Sequence, residues 1–359
     1  MKRNRNYFRR LLYSLIIISL VSQVSCLDRL DFIAETEEGQ LVITGLLTDG
    51  EGPHQVTISR TSPFGLPPAG ATGATVKVLS AKGEWISYTE MGRGNYELNG
   101  FTATEGEEYA LEVWLDGVQY ASYFQKMPNE VGIDEVSLKF NFEPYTNNRP
   151  ETVLTISAET TLPPAAEPIY LRWQLDEAYM WLLTSIPCTG FCPPPPNPCY
   201  IFDSIEPNRI TLFNGSSTVT RRTFQTLGKR KVDNSFLYPF FVTVKQLSIS
   251  KEAFQFWERV KTISDNTGSP FDTPPAPIPG NIVNLSDPAD IVLGYFEVAK
   301  ETVTRIYTTR NEVPYYLNPI CTYLQGTPIT QYGSECKSCE ARARGRKWRD
   351  DGPPSWWKY

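Results

Sequence analysis

From residue 41 onward the chain is written in short runs where apolar and polar positions alternate. Examples are Leu41-Val-Ile-Thr-Gly-Leu-Leu, Val56-Thr-Ile-Ser-Arg, Ala74-Thr-Val-Lys-Val-Leu, Trp85-Ile-Ser-Tyr, Asn95-Tyr-Glu-Leu and Tyr109-Ala-Leu-Glu-Val-Trp-Leu, separated by Gly, Pro and Asp. A period of two sends successive side chains to opposite faces, so the pattern predicts an antiparallel, Ig-like β-sandwich over residues 39–127. Asp116-Gly117 between Leu115 and Val118 marks a two-residue hairpin, and Met127-Pro-Asn-Glu marks the end of the domain.

Beyond Val131 the runs lengthen: Val136-Ser-Leu-Lys-Phe-Asn-Phe, Thr152-Val-Leu-Thr-Ile-Ser, Ile169-Tyr-Leu-Arg-Trp-Gln-Leu, Ile210-Thr-Leu-Phe, and the run from Phe240 to Ile249. Two more strands are expected at Ile291 to Val298 and Thr302 to Tyr307. Between them the period changes. Ala253, Phe256, Trp257 and Val260 fall on one helical face with Ser250 as N-cap, which predicts one amphipathic helix over 250–264. Residues 264–290 read as a long Pro-rich loop. The expected fold is mainly β: a sandwich, then a larger β-rich domain over 128–345 with that helix, then an aromatic tail over 346–359.

The first 25 residues follow another pattern. Lys2, Arg3, Arg5, Arg9 and Arg10 precede an apolar stretch from Leu11 to Val21. As a helix that stretch spans about 16 Å, half of a bilayer core, which predicts a signal peptide rather than an anchor. No later run reaches the ~18 apolar residues of a spanning helix. Val21-Ser-Gln-Val-Ser-Cys26 then resembles a lipobox, with Cys26 as the acylated first residue of the mature chain and 26–38 as an acidic tether. Gln23 departs from the aliphatic residue usual there; the alternative is a secreted protein with a spare cysteine.

The cysteines fit lipidation. Seven are present, and acylation of Cys26 leaves Cys188, Cys192, Cys199, Cys321, Cys336 and Cys339, an even set suited to disulfides in an oxidising compartment. Cys336-Lys-Ser-Cys339 also has the spacing of a redox or zinc motif, with Cys188 and Cys192 as a second zinc pair. Disulfides are the simpler expectation, and no metal or other cofactor is expected.

Composition narrows the chemistry. Of 34 basic residues five lie in the signal, so the mature chain holds 29 against 40 acidic ones, a net of −11. Such a surface disfavours nucleic acid. The chain has one histidine, His54, which reads as a solvated turn residue beside Pro53 rather than a catalytic base. No carboxylate pair, phosphate loop or calcium loop stands out, so no enzyme is expected. Two segments suit partner contacts: the stiff run Pro193, Pro194, Pro195 and Pro196, and the tail with Trp356, Trp357 and Tyr359. That tail, preceded by Arg342, Arg344, Arg346, Lys347 and Arg349, docks either on its own second domain or on a partner.

The lipobox, the Leu41-Val-Ile-Thr-Gly-Leu-Leu-Thr-Asp strand, the Ser62-Pro-Phe segment, Ser250-Lys-Glu-Ala-Phe-Gln-Phe-Trp, Pro279-Gly-Asn-Ile-Val-Asn, Val292-Leu-Gly-Tyr-Phe and the CxxC before a terminal aromatic pair together resemble the lipoproteins of domain-of-unknown-function family 4249. The basic run departs from that pattern. The resemblance implies a Bacteroidota outer-membrane lipoprotein, a first domain similar to carboxypeptidase-regulatory-like sandwiches, and no known activity or site residues. It also implies a place beside a TonB-dependent receptor. The expected function is therefore a non-enzymatic, lipid-anchored and surface-exposed accessory of such a receptor, capturing a still unknown ligand or gating the receptor. The alternative is a structural or adhesive envelope protein without a transport role.

Overall fold

The computed structural model describes residues 39–62, 66–129, 131–145, 149–164, 168–187, 194–217, 221–266 and 277–358. The signal, the tether with Cys26, and Cys188, Cys192, Pro193 and Tyr359 lie outside the described residues.

The alternating runs form strands. First come β1 (Leu41–Thr48), β2 (His54–Arg60), β3 (Ala69–Gly70), β4 (Thr75–Ser80), β5 (Trp85–Ser87), β6 (Thr89–Gly92), β7 (Asn95–Leu98), β8 (Glu108–Leu115), β9 (Val118–Ser122) and β10 (Gln125–Lys126). They are followed by β11 (Ile133–Pro144), β12 (Pro150–Thr161), β13 (Tyr170–Trp181), β14 (Cys199–Ser204), β15 (Thr211–Asn214), β16 (Arg222–Lys231) and β17 (Phe240–Ile249). Helix α1 (Lys251–Asn266) leads to β18 (Ile282–Asn284), β19 (Phe296–Thr308), the short helix α2 (Cys339–Ala343) and β20 (Lys347–Arg349). The Asp116-Gly117 hairpin forms as expected: both residues have positive φ, 52° and 80°, the left-handed pair that matches strand twist, and Leu115 faces Val118.

One long sheet runs in the order β20-β14-β13-β17-β19-β1-β2-β7-β6, with β15 on β13 and β3 on β2. A second sheet (β18-β9-β8-β4-β5, with β10 on β8) and a third (β11-β12-β16) complete the fold. The alternation in β19 shows how they stack. Phe296 and Val298 belong to the core that Ile43, Leu47, Val78, Leu111 and Val113 build between the long sheet and the second. Ile306, on the same face, packs on the core that Leu154, Ile156, Leu171, Trp173, Phe240 and Val242 build with the third. One face of the long sheet thus carries both cores, and its other face is free for something else.

Residues beyond the first third return to the first core, which alters the division the sequence suggests at residue 127. β19 pairs in parallel with β1, β18 pairs with β9, and Ile282, Val292, Phe296 and Val298 lie in that core. Gln40–Tyr359 is accordingly one compact unit. The two strands expected at 291–298 and 302–307 are a bent approach and one strand. Gly294 makes the bend: its φ is +91° and a Cβ there would sit 2.1 Å from the carbonyl oxygen of Ile43, so only glycine allows the two backbones to pass. The expected loop over 264–290 contains β18.

His54 corrects its expectation as well. It opens β2 and is 3% exposed. Its Nδ1 accepts the Thr48 N–H at 3.3 Å, so Nε2 carries the proton and donates to the Phe101 carbonyl at 2.9 Å. The imidazole fastens two turns to the core, and the buried Thr48 N–H and the partly buried Phe101 C=O depend on it.

Helix α1 lays Ala253, Phe254 and Phe256 on Tyr170, Leu247, Ile249, Tyr295 and Ala299. Ser250 caps it, its Oγ accepting the Ala253 N–H at 3.1 Å, with Glu252 in the first turn favourable to the helix dipole. Ser250→Ala is expected to lower stability by about 1 kcal/mol, read as a lower urea midpoint with an unchanged slope.

Candidate functional site

The outer face of the long sheet divides into three zones, legible along each strand. On β13, Tyr170 packs under α1; Arg172, Gln174 and Asp176 line a trough; Ala178 packs under the C-terminal tail. On β17 the same order is Leu247, then Lys245 and Thr243, then Phe241. On β19 it is Ala299, Arg305, and Tyr307 beside Phe241. The trough holds about 1000 Å³, at the upper end of ligand cavities. Trp257 of α1 closes one side, the Ser204 to Ile210 turn a second, and Lys347, Trp348, Arg349, Pro354 and Trp356 a third.

Under the α1 wall sits a buried ion pair. Arg172 Nη2 donates to Glu297 Oε1 at 2.7 Å, with side chains 9% and 2% exposed. Trp257 donates its indole N–H to the other carboxylate oxygen, and its ring lies 4.4 Å from the guanidinium. The carboxylate thus answers both the cation and the indole, and the indole ring faces the guanidinium. The Nε of Arg172 stays buried without a partner.

The tail wall is fastened by the basic run. Cys339 bonds Cys199, tying α2 to β14, and β20 pairs with β14. Arg342 lies 3.9 Å from the Trp181 ring, and Arg346 reaches Asp203 at 2.6 Å. Trp357, 9% exposed, packs 4.3 Å from Phe241 and 5.2 Å from Tyr200. Trp356 meets Phe241 at 5.5 Å and carries Arg305 at 5.0 Å. Both tryptophans therefore dock on the chain's own sheet. Cys321 bonds Cys336, so the two cysteines of the CxxC serve different bridges rather than a redox or zinc centre. Pro194, Pro195 and Pro196 are exposed on the approach to β14.

Behind β13 a second network holds the floor. Arg230 bridges the buried Glu177, at 2.5 Å, and the half-exposed Asp233, at 3.3 Å. Burial pushes the Asp233 carboxyl up, but Arg230 and two hydrogen bonds from Ser235 outweigh it and hold the group below its ordinary 3.8. A carboxyl depressed in the folded state contributes stability above its unfolded value and loses it as pH falls through the folded one. Asp233→Asn is thus expected to lower the melting temperature modestly at pH 7, because solvent screens the pair. As pH falls below 3.8 and on through the lower folded value, the variant and the parent should converge, as thermal melts across that range would show.

Sequence reasoning missed Arg172, Lys245, Arg305 and the trough they line. One signal was present: an arginine inside the otherwise apolar run Ile169-Tyr-Leu-Arg-Trp-Gln-Leu, where a buried charge needs a partner.

A family model described as Domain of unknown function (DUF4249) matches residues 29–305. No curated protein matches the chain.

Proposed function

Because the chain belongs to the DUF4249 family, whose description names no activity, we propose a binding role: a non-enzymatic lipoprotein, tethered to the outer membrane through acylated Cys26 and exposed at the surface. Its trough would capture a ligand for a TonB-dependent receptor. The trough carries this reading: a recess of about 1000 Å³ on a sheet face, walled by a disulfide-fastened tail and a helix. The two disulfides among the described residues suit an oxidising compartment, and the chain's one histidine is committed to the core. Two or more acyl chains hold a protein stably at a bilayer where one does not. The test is Cys26→Ser. Fractionation is expected to move the protein out of the membrane pellet; an unchanged pellet with normal processing contradicts the anchor.

A further inference from the structure

We propose that the trough takes an acidic oligosaccharide, a chain of sugar rings bearing carboxylates; this deepens the ligand-capture role and rests on it. The charge balance of the lining points there. Each of its four carboxylates is already paired: Asp176 with Lys245, Glu177 with Arg230, Asp203 with Arg346 and Glu206 with Arg209. Two lining cations, Arg305 and Lys347, have no carboxylate partner among the described residues, although the chain as a whole is acidic. Arg172 is paired to Glu297 yet keeps a buried Nε without an acceptor. Unpaired cations around a recess attract anions, and a guanidinium can hold a carboxylate through two parallel N–H bonds.

The remaining lining favours sugar over peptide. Gln174 and Thr243 rise from the floor as neutral hydrogen-bonding groups suited to hydroxyls. A peptide in extended form binds best along an open strand edge, whereas β17 and β19 in the floor are hydrogen-bonded on both sides.

Calorimetry of the full chain in mild detergent tests this with three probes: tetragalacturonate, its methyl ester, and an oligoglutamate peptide of equal charge. Tetragalacturonate is expected to bind, more weakly as salt rises. Esterification, R305A and K347A are each expected to weaken binding about tenfold. Both side chains are exposed, so the variants should melt as the parent does. No binding, preference for the peptide, or affinity indifferent to esterification and to both substitutions would overturn the proposal. Those outcomes leave membrane anchoring and receptor co-purification standing, and loss of either of the latter leaves a measured affinity standing.

Discussion

Replacing Glu297 by alanine is expected to destabilise the protein by about 3–5 kcal/mol. The carboxylate is 2% exposed and answers both the Arg172 guanidinium and the Trp257 indole N–H. Without it a largely buried cation and an indole donor are left together without their acceptor, and each lost partner adds its own desolvation cost. The loss should be far larger than for an exposed pair such as Lys82 with Glu107, where solvent leaves little net gain. Removing both ends should restore much of the stability: Arg172→Met with Glu297→Leu exchanges a paired charge for apolar packing, often at little net change. Urea unfolding of the three variants checks this, and an equal loss in the single and double variants would show that shape rather than charge is at stake.

Opening the Cys199–Cys339 bridge is the second large effect. The bond closes a separation of 140 residues, and a loop of that order is worth about 4–5 kcal/mol in the chain-entropy account, less where the unfolded chain retains structure. The Cys321–Cys336 bridge closes 15 residues and is worth about 3 kcal/mol. Position adds to the difference. Cys339 begins α2, so its bond to β14 anchors the segment that carries Arg342, Arg346, β20 and the docked Trp357. In Cys199→Ala with Cys339→Ala the tail should loosen before the sheets do, seen as a red shift of tryptophan emission at low urea. A Cys321→Ala, Cys336→Ala pair should keep the tail in place. If both pairs lose the same stability with no early fluorescence change, the tail is held by its aromatic contacts alone.

What could be read from sequence followed periodicity. β4 alternates cleanly between core and solvent, β1 and β8 do so over part of their length, β17 is a largely apolar run buried on both faces, and α1 pairs a Ser cap with apolar positions at helical spacing; all formed where the pattern put them. Strands without that contrast were invisible. β16, Arg-Thr-Phe-Gln-Thr-Leu-Gly-Lys-Arg-Lys, is mostly polar because it edges the third sheet, and β20 lies within a run of charges that reads as solvated tail. The disulfide pairing spans the fold and leaves no trace in spacing, since Cys336 and Cys339 look like partners and are not. The trough was hidden for the same reason. Its residues come from β13, β17, β19 and the tail, and apart from Arg172 in its apolar run each alone is an ordinary polar side chain until the long sheet brings them together.

Purification of the tagged full chain from outer membranes in mild detergent tests the proposed role most directly. A β-barrel receptor is expected to come away with it in near-equal amount, and to be lost when Cys26→Ser removes the anchor. Recovery of this chain alone from native membranes, as a monomer, would contradict it.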